Sequence, residues 1–554
     1  MSADWAGGCP DPRTRTFLPP ARVVWSTEGA AAPLRPEVLL RSATIQAMVH
    51  TPEPACVLAA GASIVLDYGR ELHGGLRLVT ADNQPRVGRL RLRFGESVSE
   101  VMGRPDNDHA LHDMELDVPW QGVLDAGNTG FRFVRLDALG QDARVELRAA
   151  LAQLVLRDLP YVGSFRCSDD RLNRIWDTGA YTVHLNMQEY VWDGIKRDRL
   201  VWLGDLHPEV RVICSVFDDD GVVPASLDLA RDNTPLPGYI NGISSYSLWW
   251  IIIQRDWFLH WGDAAYLAAQ RPYLLGLLEQ LSGCVAADGR EQLPAHRFLD
   301  WPTSDDGDAV HAGLQGLLSW ACGAGAELCG YLDEEDGARR FAALRGQLRQ
   351  HVPDVAASKQ ATAMQVLGGL RHAAAANADV LGRDPCAGMS TFYGYYVLQA
   401  RALAGDVAGA LEVIRRYWGA MLDAGATTFW EDFDLAWTRN AGRIDELPAP
   451  GRDDLHADFG NYCYKGLRHS LCHGWAGGPT AWLTEHVLGL RPTAPGCRRL
   501  AVTPRLGDLD WAEGSLPTPL GPVQVSHRRA ADGRVETRLE LPDGMERDGA
   551  AGVD

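Results

Sequence analysis

The sequence predicts a multidomain α plus β protein: an N-terminal β-sandwich, a central array of paired helices and a small C-terminal β-sandwich. Three observations predict this division. Short alternating apolar runs fill residues 60–156, helical periodicity begins at Ser168, and short alternating runs return after Pro492. A period of two is typical of half-buried strands, and a period near 3.6 of amphipathic helices. We therefore expect an N-terminal domain whose leading segment is irregular, a helical domain and a C-terminal domain, at residues 1–159, 160–490 and 491–554.

The predicted strands are short runs bounded by Gly, Pro and Asp, a spacing that is typical of β-sandwiches. In the N-terminal domain they are Arg22–Trp25, Ser63–Asp67, Gly75–Thr80, Arg89–Phe94, Phe131–Asp137 and Val145–Leu156. In the C-terminal domain they are Arg499–Thr503, Val523–His527 and Arg534–Leu541, followed by a last ten or so residues that we expect to be frayed.

The helical domain is predicted from a cap and from two repeated dipeptides. Ser168, followed by two aspartates, suits an N-cap. Gly262-Asp263 and Gly405-Asp406 each suit a C-terminal glycine followed by the N-cap of the next helix, as in αα-hairpins. The predicted helices are Tyr246–Trp261, Ala264–Leu281, Ala309–Leu332, Asp336–His351, Thr391–Ala404, Val407–Asp423 and Lys465–Leu488.

Composition bounds the partners and the compartment. The formal charge of −19 argues against binding to nucleic acid, which needs a basic surface. The 11 cysteines show no metal-ligand spacing, so we expect reduced, mostly buried thiols and no catalytic metal or cofactor. The N-terminus resembles no signal peptide, and the longest apolar run, Leu248–Ile253, is too short to cross a membrane. These features predict a cytoplasmic protein; a homodimer is neither required nor excluded.

The stretch Trp192–Glu209, WDGIKRDRLVWLGDLHPE, carries the most chemistry. It interleaves four carboxylates with basic side chains and two tryptophans. Carboxyl groups can protonate a leaving group, charged side chains can bond to hydroxyls, and indoles can stack on a sugar ring. The alternative is an exposed loop with an ion-pair network. Gly194 and Gly204, both poor helix formers, argue against a simple solvated helix.

Three motifs in this order resemble the glycoside hydrolase family 78 α-L-rhamnosidases. The first combines Asp193, Asp198, Trp202 and Asp205; the others are Thr427-Thr428-Phe429-Trp430-Glu431 and Ser470-Leu471-Cys472-His473. The resemblance runs from roughly residue 60 to residue 530. It implies that the helices close into an (α/α)6 barrel and that hydrolysis inverts the anomeric centre. The sandwich that precedes this barrel in the family is resembled by two further segments, Leu66-Asp67-Tyr68-Gly69 and Phe94-Gly95-Glu96. Such a sandwich more often buttresses the barrel than binds sugar.

The resemblance implies Asp198 as general acid and Glu431 as general base. The family usually has Glu four residues before the Trp, where this chain has Asp198, so either the acid is one methylene shorter or the Glu is deleted. Burial against Trp202 would keep Asp198 protonated, whereas inward-pointing arginines would oppose this. The rival acids are Asp205, Glu209 and Glu189.

The remaining candidates bind the sugar. Polar side chains suited to its hydroxyls are Asp193, Arg197, Asp205 and Asp300, and the stacking candidates are Trp202, Trp301 and Trp430. We favour His473 as a ligand contact over a structural histidine because of its motif position. Trp249, Trp250 and Trp257 recur at helical spacing and are expected in the core.

The function predicted is release of terminal α-L-rhamnose from a small glycoside or oligosaccharide. The alternatives are a hydrolase of another deoxysugar or uronide, a polysaccharide lyase on the same scaffold, and a sugar-binding protein that has lost catalysis. A lyase needs a Tyr or His base rather than two carboxylates. The absent Glu at the acid position motivates the last alternative.

Overall fold

The computed structural model describes residues 11–548 apart from 42–45, 47, 49–52, 82–87, 104–112 and 295. It combines α-helices with sheets whose strands pair almost entirely antiparallel, in agreement with the α plus β class that the sequence predicted. In the described ranges no helix is long and apolar enough to cross a membrane. Of the last ten or so residues, which were expected to be frayed, 549–554 lie outside the described residues, whereas Glu546–Arg547 form a short strand.

The N-terminal part is an antiparallel sheet. Its strands are β1 (Arg13–Leu18), β2 (Arg22–Ser26), β3 (Cys56–Ala59), β4 (Ser63–Thr80), β5 (Gly88–Gly95), β6 (Asp113–Val118), β7 (Val123–Ala138) and β8 (Arg144–Arg157), and helix α1 (Val98–Met102) follows β5. The sheet order is β1-β8-β4-β7-β5-β6, with β2 on β4 and β3 on β8. The predicted strands Ser63–Asp67 and Gly75–Thr80 are one strand, whose register on β7 shifts between Asp67 and Leu72.

A short strand, β9 (Ser164–Cys167), precedes the helices. The longer helices are α2 (Asp170–Asn186), α3 (Leu203–Val216), α4 (Val222–Asp232), α5 (Ser244–Trp261), α6 (Ala264–Ser282), α7 (Gly307–Tyr331), α8 (Glu335–Leu348), α9 (Lys359–Leu367), α11 (Gly394–Leu403) and α12 (Val407–Asp423). The short helices are α10 (Ala373–Ala376) and α13 (Gly478–Trp482).

The Gly-Asp pairs punctuate the helices as predicted. Gly262 has a φ of 72° at the end of α5, and Asp263 accepts a hydrogen bond from the Tyr266 amide at the start of α6. Gly405 has a φ of 81°, and Asp406 caps α12. Only glycine adopts such φ values at little cost, which is why it ends these helices.

Two helix predictions were wrong. The cap of α2 is Asp169, whose side chain accepts from the amides of Arg171 and Leu172. Ser168 instead accepts a hydrogen bond from the Asp510 amide. The predicted helix Lys465–Leu488 is a series of short turns around α13, because three glycines and a proline at 474–479 interrupt the α-helical ladder.

The C-terminal residues form two small sheets whose strands are β10 (Leu490–Pro492), β11 (Arg499–Val502), β12 (Trp511–Leu516), β13 (Val523–Arg529), β14 (Val535–Glu540) and β15 (Glu546–Arg547). Strand β9 pairs with β12, so one strand of this sheet comes from the chain before the helices. One continuous apolar core, which contains Trp249, Trp250 and Trp257, includes both the helices and these sheets. The N-terminal sheet has a core of its own.

Candidate active site

The stretch Trp192–Glu209 begins as a closed loop and ends inside α3. The Leu200 amide donates to the Asp193 carboxylate at 2.9 Å, and the Asp193 amide donates to the Leu200 carbonyl at 3.1 Å. Asp198 and Arg199 form the tip of this loop with φ values of 55° and 54°. Gly204, in the first turn of α3, has no room for a side chain: an added Cβ would lie 2.5 Å from the Tyr246 ring.

A cavity of about 240 Å³ opens beside this loop. Seven of the residues proposed from the sequence line it: Asp193, Arg197, Asp198, Trp202, Asp205, Trp301 and His473, together with the proposed base Glu431. The loop 193–202, the start of α3, the turn at Trp301 and the two downstream motifs therefore meet at one place. The motifs that lie more than 200 positions apart in the sequence share a single site.

Arg197 lies between the two proposed catalytic carboxylates. Its Nη2 donates to both oxygens of Glu431, at 2.5 Å to Oε1, and its Nη1 lies 3.4 Å from Asp198 Oδ1. The side chain of Arg197 is 4% exposed. Arg199, the other basic neighbour of Asp198, points away and donates to the Asn128 carbonyl.

Glu431 is held on several sides. The Ser470 amide donates to Glu431 Oε2 at 3.2 Å, and the Glu431 amide donates back to the Ser470 carbonyl at 3.0 Å. Its carbonyl accepts from Thr391 Oγ1 and Trp475 Nε1. Burial raises the pKa of Glu431, and the Arg197 guanidinium and the Ser470 amide both oppose this rise.

His473 stands at the centre of three carboxyl groups. Its Nε2 lies 3.5 Å from Glu431 Oε1, 3.7 Å from Asp193 Oδ2 and 3.9 Å from Asp205 Oδ1. Burial lowers the pKa of His473 well below its usual range, with Arg197 adding to the effect. Burial also raises the pKa values of Asp193 and Asp205 well above theirs. Burial thus favours the neutral forms of Asp193, Asp205 and His473.

Two residues proposed from the sequence lie away from the cavity. Asp300 is fully buried behind the turn at Trp301 and accepts from Ser390 Oγ at 2.6 Å. Trp430 is 1% exposed and packs edge-on against Phe433. Neither lines the cavity, so Trp430 has no face on which a sugar could stack there. Trp301 does line it, and its indole stacks on Tyr462 at 5.8 Å between ring centres.

Sequence reasoning missed most of the apolar walls. The cavity is also lined by Ile243, Tyr246, His296, Phe298, Cys463, Tyr464 and Trp475. Two of these had a signal: Phe298 opens the long loop that contains Asp300 and Trp301, and Trp475 follows the third motif by two residues. Tyr246 was assigned to helix α5 without a role, yet its hydroxyl lies 3.3 Å from Asp205 Oδ2.

A second cluster of charged groups lies behind the cavity. Donor atoms of Glu96, Glu100 and His456 lie within 4.8 Å of one another and could ligate a metal ion. The ammonium of Lys196 already lies 2.8 Å from Glu100 Oε1 and 3.4 Å from Glu96 Oε2. His456 is bonded through Nδ1 to Ser97 and through Nε2 to the His469 carbonyl. Lys196 supplies the positive charge of this cluster, so we assign no metal to it.

Comparison with known protein families gives two matches. Residues 160–361 match the bacterial alpha-L-rhamnosidase six-hairpin glycosidase domain, and residues 489–547 match the bacterial alpha-L-rhamnosidase C-terminal domain. An alpha-L-rhamnosidase of Alteromonas sp. (strain LOR) is 21% identical over 523 residues, which cover 85% of this chain and 54% of that protein. The chain thus spans about half the length of this curated relative.

Solved structures share the fold. A family 78 rhamnosidase of Bacillus sp. GL1 aligns with a TM-score of 0.70 and 22% identity, covering 93% of this chain and 56% of that one. A rhamnosidase from Klebsiella oxytoca with rhamnose bound aligns with a TM-score of 0.65 and 23% identity, covering 86% and 96%. The chain therefore matches bacterial alpha-L-rhamnosidase domains over residues 160–361 and 489–547, and it shares the fold of family 78 rhamnosidases.

Proposed function

We propose that the protein is an inverting glycoside hydrolase that releases terminal α-L-rhamnose from a small glycoside or oligosaccharide. The observation that carries this proposal is the placement of two carboxylates, Asp198 and Glu431, on either side of one guanidinium in a cavity with aromatic walls. Inversion needs two carboxyl groups about 6.5–9.5 Å apart, with room for a water. Arg197 contacts both carboxylates and so lies between them, which supports a separation of this kind.

Glu431 suits the general base. It is 3% exposed, and its contact with Arg197 favours the ionised form that can accept a proton from water. The Ser470 amide fixes the orientation of one carboxylate oxygen. The other oxygen faces His473 at 3.5 Å, on the cavity side.

Asp198 suits the general acid because of its position at the mouth. Its side chain is 28% exposed, whereas those of Asp193 and Glu431 are each 3% exposed. The aglycone of a substrate extends out of so small a cavity, so the leaving oxygen faces the mouth. An inverting acid must also regain a proton in every turnover, which contact with solvent permits. Asp205 stays the alternative acid, because burial raises its pKa well above the usual range.

The inner wall suits a single sugar. His473, Asp193 and Asp205 offer donors and acceptors for hydroxyl groups, and burial favours the neutral form of each. Trp202 and Trp301 offer aromatic faces at the rim. A volume of about 240 Å³ is below the ~300–1,000 Å³ typical of small-molecule sites, which supports a terminal residue rather than an internal segment of a polymer.

The proposal extends to the architecture and the compartment. We place the catalytic domain at residues 160–490, closed as an (α/α)6 barrel between two β-sandwiches. Support comes from the order of the helices and from the family-model match within this range. We place the protein in the cytoplasm, because the cysteines of the described ranges are free thiols, nearly all of them buried.

The deciding experiment is a screen of aryl glycosides with α-L-rhamnoside first, followed by NMR of the first-formed sugar. The expected result is hydrolysis with release of the inverted anomer. Retention would contradict a water held between the carboxylates. An unsaturated product, detected by ultraviolet absorbance, would favour a lyase. Rhamnose binding without turnover of any aryl rhamnoside would favour a protein that has lost catalysis.

A further inference from the structure

Glu96 joins the N-terminal sheet to the helical region. It follows directly after β5, in the Phe94-Gly95-Glu96 segment, and its side chain is fully buried. Its Oε2 accepts from the Leu471 amide at 2.6 Å, and its Oε1 accepts from the Ser470 hydroxyl at 3.3 Å. A carboxylate from one part of the chain therefore anchors two successive residues of another.

The anchored segment is the one that orients the proposed base. Ser470 and Glu431 exchange two hydrogen bonds, one from the Ser470 amide to Glu431 Oε2 and one from the Glu431 amide to the Ser470 carbonyl. A displacement of Ser470 would therefore move Glu431, or leave one of its oxygens without a donor. Glu96 reaches Glu431 through a single intervening residue.

Lys196 holds the same segment from its other side. Besides its contacts with Glu96 and Glu100, its ammonium donates to the carbonyls of Leu467 at 2.6 Å and His469 at 3.0 Å. The next residue, Arg197, bonds to Glu431. Glu96 and Glu100 thus share one counter-ion, but of the two only Glu96 contacts residues 470–471 in the described hydrogen bonds.

We propose that Glu96 is a positioning residue of the active site, which holds the Ser470 amide against Glu431 from outside the helical region. The proposal rests on the proposed role of Glu431 as general base. It gives the N-terminal sheet a part in positioning the proposed base, beyond buttressing the helices. What matters in this role is the reach of the Glu96 side chain more than its charge, because its contacts with Ser470 and Leu471 depend on its length.

The variants separate reach from charge. Glu96→Asp keeps the charge but withdraws the carboxylate by about 1.5 Å, one side-chain bond. Glu96→Gln keeps the length, and its amide can still accept from Leu471 and donate to the Ser470 hydroxyl. Glu115→Asp is the matched control, since it shortens an exposed acid of the same sheet by the same amount.

We expect Glu96→Asp to lower kcat about 10- to 100-fold with KM little changed, the scale of an ångström-sized misplacement. Glu96→Gln should lose less, and Glu115→Asp should stay within about threefold of the wild type. In Glu96→Asp the acidic limb of the pH–rate profile should move to higher pH, because the Ser470 amide lowers the pKa of Glu431. A purely structural role would change stability without moving that limb.

Equal losses in Glu96→Asp and Glu115→Asp would overturn the proposal, as would unchanged kcat in Glu96→Asp. Should Glu96→Asp not fold, Ser470→Ala removes one of the two contacts from the other side. Ser470→Ala should lower kcat by a smaller factor and move the acidic limb of the pH–rate profile to higher pH. An unchanged kcat together with an unchanged limb would contradict the proposal. A wild type without activity on any rhamnoside refutes the proposed function instead. A crystal structure of Glu96→Asp would then still give the distance between the Ser470 amide nitrogen and Glu431 Oε2. An unchanged distance of 3.2 Å would overturn the positioning role.

Discussion

Arg197 donates to both carboxylate oxygens of Glu431, although the two residues lie 234 positions apart in the chain. The contact joins the loop that carries the proposed acid to the segment that carries the proposed base. It also divides their roles, because the guanidinium contacts Glu431 more closely than Asp198.

Asp198→Asn and Glu431→Gln should respond differently to the leaving group. A nitrophenol needs little protonation, so Asp198→Asn should impair poor leaving groups far more than nitrophenyl rhamnoside. Glu431→Gln should impair all substrates alike, by about 100-fold or more, since water must be activated each time. The measurement is kcat/KM across a series of aryl leaving groups. Equal sensitivity of every substrate to Asp198→Asn would move the acid role to Asp205, tested by Asp205→Asn.

Asp198→Glu tests the departure from the family residue. The longer side chain keeps the carboxyl but carries it about 1.5 Å further from a backbone that already adopts a φ of 55°. On substrates with poor leaving groups, we expect the activity of Asp198→Glu to lie between that of the wild type and that of Asp198→Asn. Activity above that of the wild type would show instead that the site is shaped for a Glu side chain and lost activity when Asp198 replaced it.

Trp301→Ala and Trp430→Ala form a matched pair of indole deletions. Trp301 lines the cavity from a short turn, so its loss should raise KM about tenfold, equivalent to about 1.4 kcal/mol, while the protein stays folded. Trp430 is buried, so its loss should cost about 3–5 kcal/mol of unfolding free energy. Thermal melts and saturation kinetics distinguish the two. Insoluble Trp301→Ala protein would place Trp301 in the core.

Asp300 should make stability depend on pH. Burial raises the pKa of Asp300 to about 7, despite hydrogen bonds from Ser390 and the Trp301 amide. Because the pKa of Asp300 in the folded state lies above its value of about 4 in the unfolded state, protonated Asp300 stabilises the fold. This stabilisation is complete below pH 4 and is lost as the pH rises through about 7. Asp300→Asn removes this pH dependence. The difference in Tm, variant minus wild type, should therefore increase from pH 5 to pH 8, by the equivalent of roughly 1–3 kcal/mol of unfolding free energy. Exposed Asp543→Asn is the control, and a flat difference for Asp300→Asn would contradict the shift.

The sequence predicted those parts of the structure that local pattern determines. The Gly-Asp pairs located the ends of helices because a residue with positive φ followed by an N-cap needs those two residue types. Pattern failed at Lys465–Leu488, where apolar spacing looked helical but Gly474, Gly477, Gly478 and Pro479 prevent a continuous ladder. Separated motifs met at one cavity, as the resemblance implied, while Tyr246 and Tyr464 were missed. A buried aromatic has the same local signature whether it faces a core or a cavity, so only three-dimensional packing distinguishes them.

The pairing of β9 with β12 bears on how the chain is synthesised. Ser164 and Ser515 contact each other across 351 positions, and the apolar core of the helices continues into the sheet that these strands build. A ribosome releases the N-terminal sheet first, and its separate core allows it to fold at once. The helices that follow must wait with one end of their core uncovered until residues 511–529 emerge. During that interval the nascent chain exposes apolar surface, which makes it a client for chaperones and the stage at which C-terminal truncations would aggregate.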